Sequence, residues 1–204
     1  WGTSSSWTLT ALPLFVWMGE ILFRTKLSEN LFKGLSPWMQ KLPGGLIHVN
    51  VVGCALFAAI SGSSAATVAT VGKMSIPELR KRKYPEKILL GSLAGSGTLG
   101  LLIPPSIILI IYGVAVQESI AKLFIAGIIP GIMIALIFMS YVIIWSLINK
   151  KEMPKILEEY SFFEKVKRSK QLLPVIILIL AVIGSIYTGI ATATEAASLG
   201  VVGA

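Results

Sequence analysis

The run Leu46-Ile47-His48-Val49-Asn50-Val51-Val52-Gly53-Cys54-Ala55-Leu56-Phe57-Ala58-Ala59-Ile60-Ser61-Gly62-Ser63-Ser64-Ala65-Ala66-Thr67-Val68-Ala69-Thr70-Val71-Gly72 contains no Asp, Glu, Lys or Arg. Two complete bilayer crossings need about 40 residues, more than this run holds. One crossing needs an unbroken apolar helix, yet the centre reads Ile60-Ser61-Gly62-Ser63-Ser64. The pattern predicts a re-entrant hairpin over residues 42–72: a helix in, a turn at Ser61, Gly62, Ser63 and Ser64, and a helix out. Non-helical backbone at membrane depth survives only against protein or a wet cavity. The turn is therefore a candidate ion- and substrate-binding element.

Both flanks of this run are basic. Arg24, Lys26, Lys33 and Lys41 precede it, and Lys73, Arg80, Lys81, Arg82, Lys83 and Lys87 follow it. Lys/Arg-rich loops stay in the cytoplasm, so the run enters and leaves from one side. Arg80, Lys81, Arg82 and Lys83 are read as topology and headgroup determinants. Upstream, residues 8–23 form a short apolar segment with Trp7 and Trp17 as interfacial anchors and Glu20 reaching the interface. In residues 24–41, Leu31, Phe32, Leu35 and Trp38 recur at helical spacing, predicting an amphipathic helix on the membrane surface. His48 reads as an interfacial hydrogen-bonding residue.

Downstream, residues 88–112 are apolar but interrupted by Gly95-Ser96-Gly97-Thr98 and by Pro104-Pro105-Ser106. Proline removes a helix donor and restricts the residue before it, so a discontinuous helix is expected. Its first half should end near Gly97, and Pro105 should open the second. Gly91 with Gly95, and Gly127 with Gly131, have the spacing of close helix packing. Residues 113–119 hold one charge, Glu118, and should lie outside; residues 120–147 cross back. Residues 149–171 carry seven basic residues and four Glu, so they should be cytoplasmic, and residues 172–190 cross outward. Thr192, Thr194 and Glu195 then start a small, polar stretch that would enter from outside. Opposed re-entrant segments are what inverted repeats produce.

The composition agrees with a membrane protein. Of 204 residues, 54% are hydrophobic and 14% charged, with a mean hydropathy of +0.80. A soluble domain carries about 25% charge. The net charge of +8 lies in the gaps between apolar runs, which points to topology and lipid, not nucleic acid. Cys54, the single cysteine, has no internal partner for a disulfide and reads as a packing residue. No CxxC, HExxH or phosphate-binding loop occurs, so no cofactor is implied. A hydrolase built from His48 and Ser63 or Ser64 would lack the G-x-S-x-G elbow, and no enzyme is expected. Hydroxyls and freed carbonyls at Ser61, Ser63, Ser64, Gly97, Thr98, Pro104, Pro105 and Ser106 instead suit Na⁺ and an anionic substrate. Carbonyl ends of helices attract the cation and N–H ends the anion.

Five blocks carry a family resemblance. Pro43-Gly44-Gly45-Leu46-Ile47-His48-Val49-Asn50-Val51 with Ile60-Ser61-Gly62-Ser63-Ser64-Ala65 resembles the large, DctM-like membrane subunit of TRAP (tripartite ATP-independent periplasmic) transporters. So do Gly97-Thr98-Leu99-Gly100-Leu101-Leu102-Ile103-Pro104-Pro105-Ser106 and Ile111-Tyr112-Gly113. Ala11-Leu12-Pro13-Leu14-Phe15 with Met18-Gly19, and Thr192-Ala193-Thr194-Glu195-Ala196-Ala197, match further blocks in order. The resemblance implies an elevator-type secondary transporter of two inverted repeats in the bacterial inner membrane. It also implies sodium-driven uptake of organic acids, a small membrane subunit and a periplasmic substrate-binding protein as partners. Thr67 stands where many members carry an acidic residue, and Leu99-Gly100-Leu101 lacks the proline that others have there.

The expected fold is thus an all-α polytopic membrane protein, the first half of an inverted-repeat transporter. Residues 1–41 would supply a scaffold-type transmembrane helix and the interfacial helix, and 42–72 the hairpin. Residues 73–147 would hold the basic loop, the broken helix and the next crossing. Residues 148–204 would hold a second basic loop, a crossing and the start of the second repeat. The chain begins with Trp1 and ends within a Gly/Ala-rich stretch, so a longer protein is expected. The competing reading is a non-transporting assembly subunit of a membrane complex.

Overall fold

The computed structural model describes residues 7–25, 27–154 and 160–204. Lys26 and the middle of the basic loop expected over 149–171 fall outside the described residues. Among the described residues, all regular structure is helical. Ten α-helices follow one another: α1 (Ala11–Arg24), α2 (Leu27–Met39), α3 (Ile47–Ser61), α4 (Ser64–Lys81), α5 (Glu86–Gly97), α6 (Ile107–Val116), α7 (Ile120–Ile148), α8 (Phe162–Ser169), α9 (Leu173–Tyr187) and α10 (Ala193–Gly203).

Helix α3 is the centre of the molecule. Its 15 residues are apolar nearly all round, and it packs against α1, α2, α4, α5 and α7. At 1.5 Å per residue it is about 22 Å long, short of a hydrocarbon core of about 30 Å. Its foot is clamped twice. His48 Nε2 lies 2.7 Å from the Pro43 carbonyl, and the Leu46 N–H donates to the Tyr84 hydroxyl at 3.0 Å. His48 is fully buried and makes the hydrogen bond expected of it within this foot.

Helix α7 has 29 residues, and residues 162–187 form a second helical stretch of 26; their most apolar 18-residue windows have mean hydropathies of 2.5 and 2.0. Both are long and apolar enough to cross a membrane. Their outer sides leave Ile129, Leu136, Ile144, Ile177 and Leu180 exposed, an apolar belt suited to lipid. The apolar segment at 8–23 is shorter as a helix than expected: α1 has 14 residues behind a 3₁₀ turn at Trp7–Thr10. It buries Ala11, Phe15, Met18 and Leu22, leaves Trp17 exposed, and pairs Glu20 with Arg24 at 2.8 Å.

Two packing expectations are corrected. The amphipathic helix forms as α2, but Leu31, Phe32 and Leu35 are buried on protein instead of lying on lipid. Helix α3 and the 3₁₀ turn Lys170–Leu172 cover that face, and a Cβ at Gly34 would meet Leu172. Gly91 faces open space and packs nothing, whereas a Cβ at Gly95 would lie 3.1 Å from the Phe138 ring of α7. Gly127 and Gly131 do serve close packing. They lie against the Leu102 carbonyl and the Ile103 side chain, walling off the irregular residues 102–106.

The ends of α7 mark two faces. Gly44, before α3, lies against Val142 near the end of α7. Thr192 and Thr194 share a cavity with Gln117 and Ile120 at its beginning. Helices α3 and α10 thus start from opposite faces of the molecule.

Candidate functional site

The turn after α3 is shaped by its own sequence. Gly62 is left-handed (φ 59°), a conformation costly for other residues, and its N–H bonds to the Ala58 carbonyl at 3.1 Å. Ser63 is extended and its hydroxyl caps α4 by accepting from the Ala66 N–H at 3.5 Å. The Ser61 and Thr67 hydroxyls are bonded to each other at 2.9 Å. Ser64 Oγ is buried with no hydrogen-bond partner.

The helix is interrupted between Gly97 and Ile107. Helix α5 ends at Gly97, as expected, and a 3₁₀ turn, Thr98–Leu101, follows it. The Thr98 hydroxyl donates back to the Gly95 carbonyl at 2.7 Å. A cis bond joins Pro104 and Pro105. The Ser106 hydroxyl donates to the Leu101 carbonyl at 2.7 Å. Pro105 is not the first residue of the second half-helix: Ser106 is extended at the cap position, and α6 starts at Ile107.

Turn and break meet. The Ile107 N–H, a donor with no partner inside α6, reaches the Gly62 carbonyl at 3.3 Å. A Cβ at Gly62 would sit 2.6 Å from the Pro105 carbonyl oxygen. One at Gly100 would sit 2.8 Å from the Ser64 nitrogen and 2.9 Å from the Ser63 carbonyl carbon. Gly97 lies against Val68, and Gly19 of α1 against Ser61. The two polar interruptions, some 40 residues apart in the chain, thus form one locus. It joins the C-terminus of α3 to the N-termini of α4 and α6, so partial charges of both signs converge. Among the described residues, no three His, Cys, Asp or Glu side chains group to hold a metal.

Thr192, Thr194 and Glu195 sit elsewhere, at the start of α10. Thr192 and Glu195 form a capping box: the Thr192 N–H and hydroxyl both donate to Glu195 Oε2 at 2.8 Å. The Thr194 hydroxyl donates to the Trp7 carbonyl at 3.4 Å. Helix α10 then runs beside α1 until Gly200 lies against Met18, one residue from Gly19.

A family model described as "Tripartite ATP-independent periplasmic transporter, DctM component" matches residues 1–204. The chain belongs to the DctM family. It is 37% identical over 200 residues to a C4-dicarboxylate TRAP transporter large permease protein of Pseudomonas aeruginosa, covering 98% of this chain and 46% of that protein. It is 36% identical to a sialic acid TRAP transporter large permease protein of Vibrio cholerae (97% and 46%). It is 34% identical to an ectoine/5-hydroxyectoine TRAP transporter large permease protein of Ruegeria pomeroyi (94% and 44%). The chain spans under half the length of these relatives.

In this DctM chain a polar seam also runs between α3 and α5, away from the turn. Asn50 Nδ2 donates to the Leu89 carbonyl at 3.2 Å and to Ser92 Oγ at 3.0 Å, and Ser96 Oγ donates to the Ser92 carbonyl at 2.6 Å. Asn50 Oδ1, Thr70 Oγ1 and Ser75 Oγ are buried without partners. Thr67, bonded to Ser61, belongs to the turn instead. The signal for these residues was present: polar side chains inside apolar runs are costly in a bilayer and mark function or packing.

Proposed function

We propose that this DctM chain forms the first repeat of a sodium-coupled secondary transporter subunit, with Na⁺ and substrate bound where turn and break meet. One observation carries this: two irregular segments, both inside apolar runs, share backbone contacts through Gly62 and Gly100. Residues 42–72 act as a re-entrant hairpin entering from the cytoplasm, and residues 88–112 as the broken helix facing it. Hydroxyls of Ser61, Ser64 and Thr67 and the turn carbonyls supply hard neutral oxygens for Na⁺. The unpartnered Ser64 Oγ supports that role. The N-termini of α4 and α6 face the carboxylate of a small organic acid. Alternating access follows when this bundle moves as an elevator against the scaffold of residues 1–41. Such motion needs differential affinity of Na⁺ and substrate for the two states.

The remaining parts of the reading follow the family. The protein is a multi-pass subunit of the bacterial inner membrane and not an enzyme. It works with a small membrane subunit and a periplasmic binding protein that delivers the substrate. Relatives named for three different substrates are similarly identical to this chain, at 37, 36 and 34%, so likeness alone selects none of them. Residues 192–204 begin the second hairpin.

The test uses the full-length protein with its partners. Ser63→Leu and Ser64→Leu should each abolish Na⁺-dependent uptake while membrane insertion is intact. Unchanged uptake in both would sink the assignment of this turn to the site.

A further inference from the structure

A second cavity opens far from the turn, between α2, α4 and the segment leading through α8. It measures about 590 Å³. Four cations line it: Lys33 from α2, Lys73 from α4, Arg82 at the C-cap of α4, and Arg168 from α8. Glu29 and Glu78 line it too, but each is already 3.8 Å from a lining cation, Lys33 and Arg82 respectively. Lys73 and Arg168 lie on ring faces, 4.8 Å from the Phe23 centroid and 4.3 Å from that of Tyr160. A ring face orients a cation without cancelling its charge. Among the described residues, the lining therefore keeps an excess of two positive charges.

The neighbourhood indicates which anion fits. On α8, Phe162, Phe163 and Val166 are exposed, while Lys165, Lys167 and Arg168 supply the charge. Phe162 packs edge-on against Trp38 at 6.3 Å, and Lys165 lies 5.5 Å from the Trp38 ring. Exposed aromatics beside lysines are the pattern of a helix seated at a membrane interface. Lys73 itself directly follows the uncharged run that ends at Gly72. The cavity thus opens where phospholipid headgroups sit.

We propose that this cavity binds the phosphate of an anionic phospholipid, held by Lys73 and Arg168, with Lys33 and Arg82 completing the cationic wall. The lipid would bridge α4 to α2 and α8. Basic pockets between helices at the cytoplasmic surface suit such headgroups.

The experiment measures lipid binding, not uptake, so its failure leaves the transport reading untouched. Full-length protein in detergent is titrated with phosphatidylglycerol or phosphatidylcholine, followed by native mass spectrometry and thermal melting. Phosphatidylglycerol should be retained and should raise Tm; phosphatidylcholine should not. Lys73→Gln with Arg168→Gln should bind phosphatidylglycerol on the order of 30-fold more weakly. Lys150→Gln with Lys151→Gln, exposed outside the cavity, should bind it normally. Should the first pair misfold, wild-type binding must still weaken as NaCl rises. Equal effects of the two lipids, salt-insensitive binding, or undiminished binding by the Lys73/Arg168 variant would overturn the proposal. A Tm rise matched by inorganic phosphate alone would overturn the lipid assignment.

Discussion

Gly100 and Gly91 lie nine residues apart on one segment and play opposite parts. A Cβ at Gly100 would press on the backbone of Ser63 and Ser64, and neither can yield without moving the turn. Gly100→Ala should therefore cost about 1–3 kcal/mol of stability and reduce uptake severalfold. Gly91→Ala, in open space, should leave melting within about 0.5 kcal/mol and uptake unchanged. Equal losses in the two would contradict the close approach of break and turn. At the other face, Arg80 Nε and Nη2 donate to the Glu86 carboxylate at 2.7 and 3.1 Å. That hydrogen bond holds the Glu86 carboxyl below the usual carboxylate range. The folded form is then favoured above the ordinary Glu value, and this share is lost as pH falls through the lowered one. Glu86→Gln should lower Tm slightly at neutral pH, where this share is present, and the difference from wild type should vanish in acid, well below about pH 4, so that the acid limb of a Tm-against-pH curve flattens.

Helix ends explain which polar residues are available and which are committed. At α10, Thr192 and Glu195 satisfy each other in a capping box, so their main local role is to start that helix. Thr192→Ala should lower stability by about 1 kcal/mol, read by melting, with no change in the Na⁺ concentration that half-saturates uptake. A large shift in that concentration would instead make Thr192 an ion ligand. At α4 the cap is Ser63, whereas Ser64 Oγ is left unpartnered. This asymmetry separates a residue that builds the turn from one free to meet a ligand. Much of this was legible beforehand: the turn at Ser61 to Ser64 and the break near Pro104 follow from Gly, Ser and Pro interrupting apolar runs. The start of α6 was not, because Ser106 adopts an extended conformation and Gly62, distant in sequence, caps the helix.

The distribution of charge over the chain sets its orientation. Basic segments flank the 42–72 run, whereas residues 113–119 carry only Glu118. Substituted cysteines should report this with an impermeant thiol reagent on a Cys54→Ser background. Lys81→Cys and Lys167→Cys should label only from the cytoplasm, and Gln117→Cys only from outside. Labelling of Lys81→Cys from outside would invert the molecule and remove the reason for calling the hairpin cytoplasmic. The same layout puts α3 and α10 on opposed paths, each reaching the level of Gly19 and Met18 on α1.

Hydropathy, charge placement and helix breakers are properties of short stretches. They therefore pointed to the membrane class, the long apolar helix α7, the polar turn and the break without reference to the rest of the chain. Contacts between distant stretches depend on the path of the backbone, which no local pattern encodes. Only folding brings Gly62 to Pro105 and Gly100 to Ser63, and buries the apolar face of α2 on protein instead of lipid. The packed structure likewise ties Ser61 to Thr67, commits Thr98 and Ser106 to backbone carbonyls, and leaves Ser64 open. A hydroxyl's availability depends on which acceptors lie within about 3 Å of it, and that is a matter of tertiary distance, not of sequence.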